Sequence, residues 1–213
     1  MRSAPGLLVL LSLLLPGCAE LRAPAQSAAP PGLTPGAADP GRAAIAATAY
    51  AFADGGGRLT GRPAEAAQAS AQLEYLAADV ARGGRWRALP SSLPFELAAS
   101  RLELRSALGT APEADPAAVS RALLAAARAL RAGDRAAAEQ ALAPPLFPAG
   151  GAATLLRLNE VAPLPQTANT TAVLAQEVRR LDEEQRWERF NSPELIEGSG
   201  LTTSGLGGGM PGY

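Results

Sequence analysis

Between residues 40 and 190, apolar positions recur at spacings of three and four, and Pro, Asp and Gly cut that periodicity into segments. Pro at the first helical position, after a cap or turn residue, marks most of the starts. Asp39-Pro40 opens a segment running to Asp54, closed by Gly55, Gly56 and Gly57. Pro63 opens a longer one that reaches Arg82 and ends at Gly83-Gly84. Ser92 and Pro94 start a third, stopped at Gly109, and Asp115-Pro116 starts a fourth. Ala132-Gly133-Asp134 turns the chain into a short fifth helix that ends before Pro144-Pro145. A weaker helical signal runs from Ala152 to Val161, and a last long helix is predicted from about Asn169 to Phe190. No stretch alternates with period two over β-branched residues, so strands are not expected. The predicted fold is all-α, a compact bundle of about five to seven helices over residues 39–190.

Two of these segments carry a four-three-four seam: Ala69, Leu73, Leu76 and Val80, and Leu174, Val178, Leu181 and Gln185. Such a seam serves packing within the chain or a coiled coil with a partner, and two heptads favour the first. The stretch Ala117–Leu142 resembles one helical hairpin of the tetratricopeptide type, with Gly133-Asp134 in its turn. No second copy follows at a fixed period, and such arrays need about three repeats, so no function is transferred.

The flanks read differently. The chain begins MRSAPGLLVLLSLLLPGC, with Arg2 ahead of an apolar run from Leu7 to Leu15. That run is shorter than the about 20 residues a spanning helix needs, and it reads as a secretory signal. Leu15-Pro16-Gly17-Cys18 holds the chain's single cysteine and resembles the lipobox of bacterial lipoproteins. The resemblance implies cleavage after residue 17, acylation of Cys18, and a membrane partner held through that lipid. Ala19 in the following position implies sorting to the outer membrane, facing the periplasm. Residues 18–38 are Pro/Ala-rich and aperiodic, and predict a disordered tether reaching about 60 Å at roughly 3.1 Å per residue. Residues 191–213 are Gly-rich with little to bury, and predict a disordered tail.

Composition narrows the chemistry further. The net charge of -1 gives no footprint for nucleic acid. All 19 basic residues are Arg, and His and Lys are absent. Without His or Lys, and with the sole Cys at the lipid position, the usual triads, Schiff bases and zinc sites have no side chains to build them. Carboxylate pairs remain possible in principle, but no converging pair is visible, so the expectation is a non-enzymatic protein with no cofactor and no metal. Gly56 to Pro63, GGRLTGRP, has P-loop glycine spacing but carries Arg62 in place of Lys and Pro63 in place of the hydroxyl, so nucleotide binding is rejected.

Three candidate sites remain. Arg101 and Arg105 fall in the middle of an apolar arc, between an edge of Leu97, Leu104 and Leu108 and an edge of Phe95, Ala98 and Leu102. They are either rim arginines with a structural carboxylate partner or a paired site for an anionic small molecule. Trp86 lies between Arg85 and Arg87, and Trp187 lies near the end of the last helix. Each is a core plug or an interface anchor for a protein partner. The pairs Arg179–Glu183, Arg180–Glu184 and Asp182–Arg186 are spaced to form a solvated, ion-paired face. The leading functional expectation is an envelope scaffold acting through protein contacts; the rival is a module binding an anion through Arg101 and Arg105.

Overall fold

The computed structural model describes residues 28–161 and 163–187. The segment read as a signal, Cys18, Phe190 and the Gly-rich C-terminal stretch lie outside them. Seven helices follow one another without a strand among the described residues: α1 (Pro40–Ala51), α2 (Pro63–Ala81), α3 (Leu93–Leu108), α4 (Pro116–Arg131), α5 (Arg135–Ala141), α6 (Gly151–Asn159) and α7 (Pro165–Glu183). None of them is long and apolar enough to cross a membrane.

Local chemistry sets most of the starts. The carboxylates of Asp39, Asp115 and Asp134 accept backbone N–H groups of the first turns of α1, α4 and α5, which satisfies donors that a helix end leaves unpaired. α3 stops at Gly109, whose φ of 68° a side chain rarely tolerates. The Arg157 guanidinium lies where a Cβ of Gly109 would stand, and its Nη1 donates to the Leu108 carbonyl at 3.2 Å. Gly109 thus both ends α3 and admits α6.

α2 is the axis of the bundle. Every residue from Ala69 to Ala77 is buried, and α1, α3, α4 and α6 all pack on it. A helix covered on all sides belongs to the core, and its alanines let four neighbours approach closely. The predicted seam Ala69, Leu73, Leu76, Val80 is buried within the chain. So are Leu174, Val178 and Leu181 of α7, which packs on α1 and α3, whereas Gln185 lies past the helix end with φ 51°.

Boundaries differ from expectation at three places, and at the first of them α7 stops at Glu183, short of Phe190. α7 begins at Pro165, four residues before Asn169, although Leu164 offers no side-chain cap. Its cap is remote: Glu103 of α3 accepts from the backbone N–H of Gln166 at 3.1 Å and of Thr167 at 2.8 Å, and from the Thr167 hydroxyl at 2.7 Å. The folded body also starts earlier than Asp39. Leu33 is only 1% exposed, and its carbonyl accepts from Gln68 and Gln72 at 2.6 and 2.9 Å. Residues 28–38 therefore belong to the body, not to a free tether.

Candidate functional site

The packed face of α3 consists of Leu93, Leu97, Ser100, Leu104, Arg105 and Leu108. The second expected edge is not part of it, because Phe95 and Leu102 are 78% and 56% exposed. Arg105 is 4% exposed and fully engaged. Its Nε and Nη2 form a two-pronged pair with the Glu74 carboxylate, both at 2.7 Å, and its Nη1 donates to the Pro112 carbonyl at 2.6 Å. Burial pushes the Glu74 carboxyl above its usual range, against the pull of the Arg105 hydrogen bonds and of the Arg105 and Arg101 charges. The anion that this arginine pair faces is thus a side chain of α2. Arg101 is half-buried beside it, and its Nε is buried without a hydrogen-bond partner. The structure brings the two arginines together around an internal carboxylate, and a two-pronged Arg–carboxylate fork leaves Arg105 no donor geometry for an outside ligand.

The two tryptophans meet at one corner of the bundle. Their rings pack edge to face at 5.9 Å between centroids. Trp86 is buried and donates its indole N–H to Asp79 at 2.7 Å; Trp187, half-buried, donates to Asp182 at 2.7 Å. Arg85 stacks on Trp86 and pairs with Asp39, while Arg42 stacks on Trp187 and pairs with Asp182 at 2.7 Å. Gly41 makes the approach possible, since a Cβ there would collide with the Arg85 guanidinium. Asp182 is therefore drawn to Arg42 rather than to Arg186, its expected partner, whereas Arg180 does pair with Glu184. Of the arginines flanking Trp86, Arg87 is exposed and Arg85 is half-buried. Burial, with the neighbouring Asp79 charge, pushes the Tyr75 hydroxyl up to about 12. As placed, the pair closes a corner; Trp86 offers no free aromatic face.

A third place escaped the sequence reading. A cleft of about 530 Å³ opens between the C-terminal half of α1 and the N-terminal half of α2. Ala47, Ala51 and Ala69 give it apolar walls, and Arg58, Arg62 and Arg131 bring cations to it. The rejected P-loop-like stretch supplies two of these arginines: a 3₁₀ turn at Gly57–Leu59 buries Leu59 and turns Arg58 back over the 72% exposed ring of Tyr50, at 4.6 Å. The Arg-rich turn was the available signal, but Arg131 comes from α4, about seventy residues later. No three His, Cys, Asp or Glu side chains gather as a metal site among the described residues. Comparison with protein-family models, with curated proteins and with solved structures finds no match, so function has to be argued from the residues themselves.

Proposed function

We propose that the chain is a lipid-anchored accessory or scaffold protein of a bacterial cell envelope, held at the outer membrane facing the periplasm and acting through protein contacts rather than catalysis. The observation that carries this reading is the single cysteine, Cys18, placed at the end of the Leu7–Leu15 run in a lipobox-like Leu-Pro-Gly-Cys. One further feature supports it. The first described residues and the last lie at the same end of the bundle: Pro30 borders Tyr75, Ala78 and Arg82 near the C-terminus of α2, and Trp187 meets Trp86 just beyond it. An anchor at Cys18 would thus hold that end toward the bilayer and present the α1–α2 cleft away from it. The rival site at Arg101 and Arg105 loses ground, because Glu74 already occupies Arg105.

The test is to crosslink the protein in cells and compare it with Cys18→Ala, alongside the mass of the mature N-terminus. Wild type should carry acyl chains on Cys18 and yield a defined envelope partner that the unanchored variant does not. A mature N-terminus without acylation at Cys18, or both forms recovered alone, would remove the anchored scaffold.

A further inference from the structure

The α1–α2 cleft holds charges and acceptors that the fold itself does not use. Arg58 and Asp54 satisfy each other, through the Arg58 backbone N–H at 3.1 Å and its Nε at 3.5 Å. The rest of the rim is different. The side chains of Arg62 and Glu65 have no hydrogen-bond or ion-pair partner among the described residues. Arg131 reaches only a neutral acceptor, the Gln68 amide oxygen, at 3.2 Å from each of two guanidinium nitrogens. At the base, Gln72 is 5% exposed; its Nε2 donates to the Leu33 carbonyl, and its Oε1 accepts from nothing among the described residues. That oxygen is not sealed in, because Gln72 lines the floor of the cleft, and it can accept from a donor that enters there.

Taken together these are two cations without a carboxylate partner, one unpaired carboxylate, one amide acceptor, alanine walls and an exposed tyrosine ring. We propose that the cleft binds a short peptide by its free carboxyl terminus. Arg62 and Arg131 take the carboxylate, since planar guanidinium forks match that geometry. Gln72 Oε1 and Glu65 accept from the peptide's N–H groups, and small side chains lie on Ala47, Ala51 and Ala69 or against Tyr50. A bare inorganic anion fits worse: it brings no N–H groups for both Gln72 and Glu65 and nothing to lie on the alanine walls. The volume of about 530 Å³ lies in the range of small-ligand sites. This inference goes beyond the envelope-scaffold reading and does not depend on the lipid.

The experiment uses the purified full chain in detergent, a mixture of tripeptides with free carboxyl termini, and the same mixture amidated at the C-terminus. Melting temperature and titration calorimetry are read. The free-acid mixture should raise the melting temperature, and the amidated one should not. R62Q should weaken binding about tenfold, the loss expected for one charged hydrogen-bond partner. Its unliganded melting temperature should stay in place, because Arg62 holds nothing in the fold; R131Q should weaken binding comparably. The proposal is overturned if neither mixture acts at millimolar concentration or if both act equally. It is equally overturned if inorganic phosphate alone matches the peptides and R62Q abolishes both effects, which would leave a plain anion site.

Discussion

At the scale of single residues, the Arg105–Glu74 pair is the most consequential contact inside the bundle. Both side chains are buried, at 4% and 1% exposure, so neither charge has water to fall back on. Removing one partner of such a pair strands the other and costs about 3–5 kcal/mol. Glu74→Ala and Arg105→Ala should each destabilise by that amount in chemical denaturation. The double replacement Glu74→Leu with Arg105→Met should recover most of the loss, because well-packed apolar isosteres of buried pairs are often neutral or better. The pH dependence follows from the raised Glu74 carboxyl. In the window just above its ordinary 4.5, the folded chain holds a proton that the unfolded chain has released. Stability from this group therefore falls as pH rises through that window, and Glu74→Gln should flatten this part of the stability–pH profile. That Arg105 faces the core was legible from spacing, but the apolar arc is narrower than the spacing implied, since Phe95 and Leu102 are exposed. Glu74 was not legible, because it sits thirty-one residues earlier on a helix whose every face is covered. Periodicity tells which residues share a face, but not which helix that face will meet.

At the scale of elements, legibility tracked whether the chemistry was local. Asp39, Asp115 and Asp134 cap the helices they precede, and each start was readable from the sequence. α7 has its cap on α3, out of reach of a local reading, and it starts four residues before the expected Asn169. Replacing Glu103 with Ala should thus behave as the loss of an N-cap to another helix. The expected cost is about 1–2 kcal/mol, at the upper end for caps because the acceptor is ionised. Hydrogen exchange should quicken in the first turn of α7 while α4 and α5 keep their protection. The strap over residues 28–38 makes the same point from the other side. Proline-rich composition argued for a tether, and only the docking of Leu33 between Gln68 and Gln72 reverses that. Leu33→Ala should cost about 2–5 kcal/mol, the range for deleting a buried leucine side chain, and a denaturation midpoint unchanged from wild type would return the strap to the tether.

At the scale of the whole molecule, the Asp39–Trp187 corner ties together the N-terminus of α1, the turn after α2 and the C-terminus of α7. With residues 28–38 on the body, only the nine residues 19–27 separate it from Cys18, a contour of at most about 35 Å. An anchored body would accordingly sit near the bilayer with this corner close to it. Carboxylates hold the corner shut. Partial burial pushes Asp39 up, but the Arg42 backbone N–H, the Arg85 hydrogen bond and both guanidinium charges outweigh it and keep it below the usual 3.8. The Arg42 hydrogen bond, against a smaller cost of burial and helped by the Trp187 N–H, keeps Asp182 below 3.8 as well. A carboxyl depressed in the folded state stabilises it above the unfolded value, and that stabilisation is lost as pH falls through the folded one. The corner should therefore loosen below pH 3.8. The chain has two tryptophans, Trp86 and Trp187, and both lie here, so tryptophan fluorescence reports on this corner. On acid titration the emission should shift while far-UV circular dichroism still reads a full helical bundle, since the packing of α2 with α3 and α4 involves neither carboxylate. In Asp39→Asn with Asp182→Asn, the emission should already be shifted at neutral pH, with the acid step gone. If emission and helicity fall together in both proteins, the corner is not a separate acid-labile unit, and the bundle opens as one.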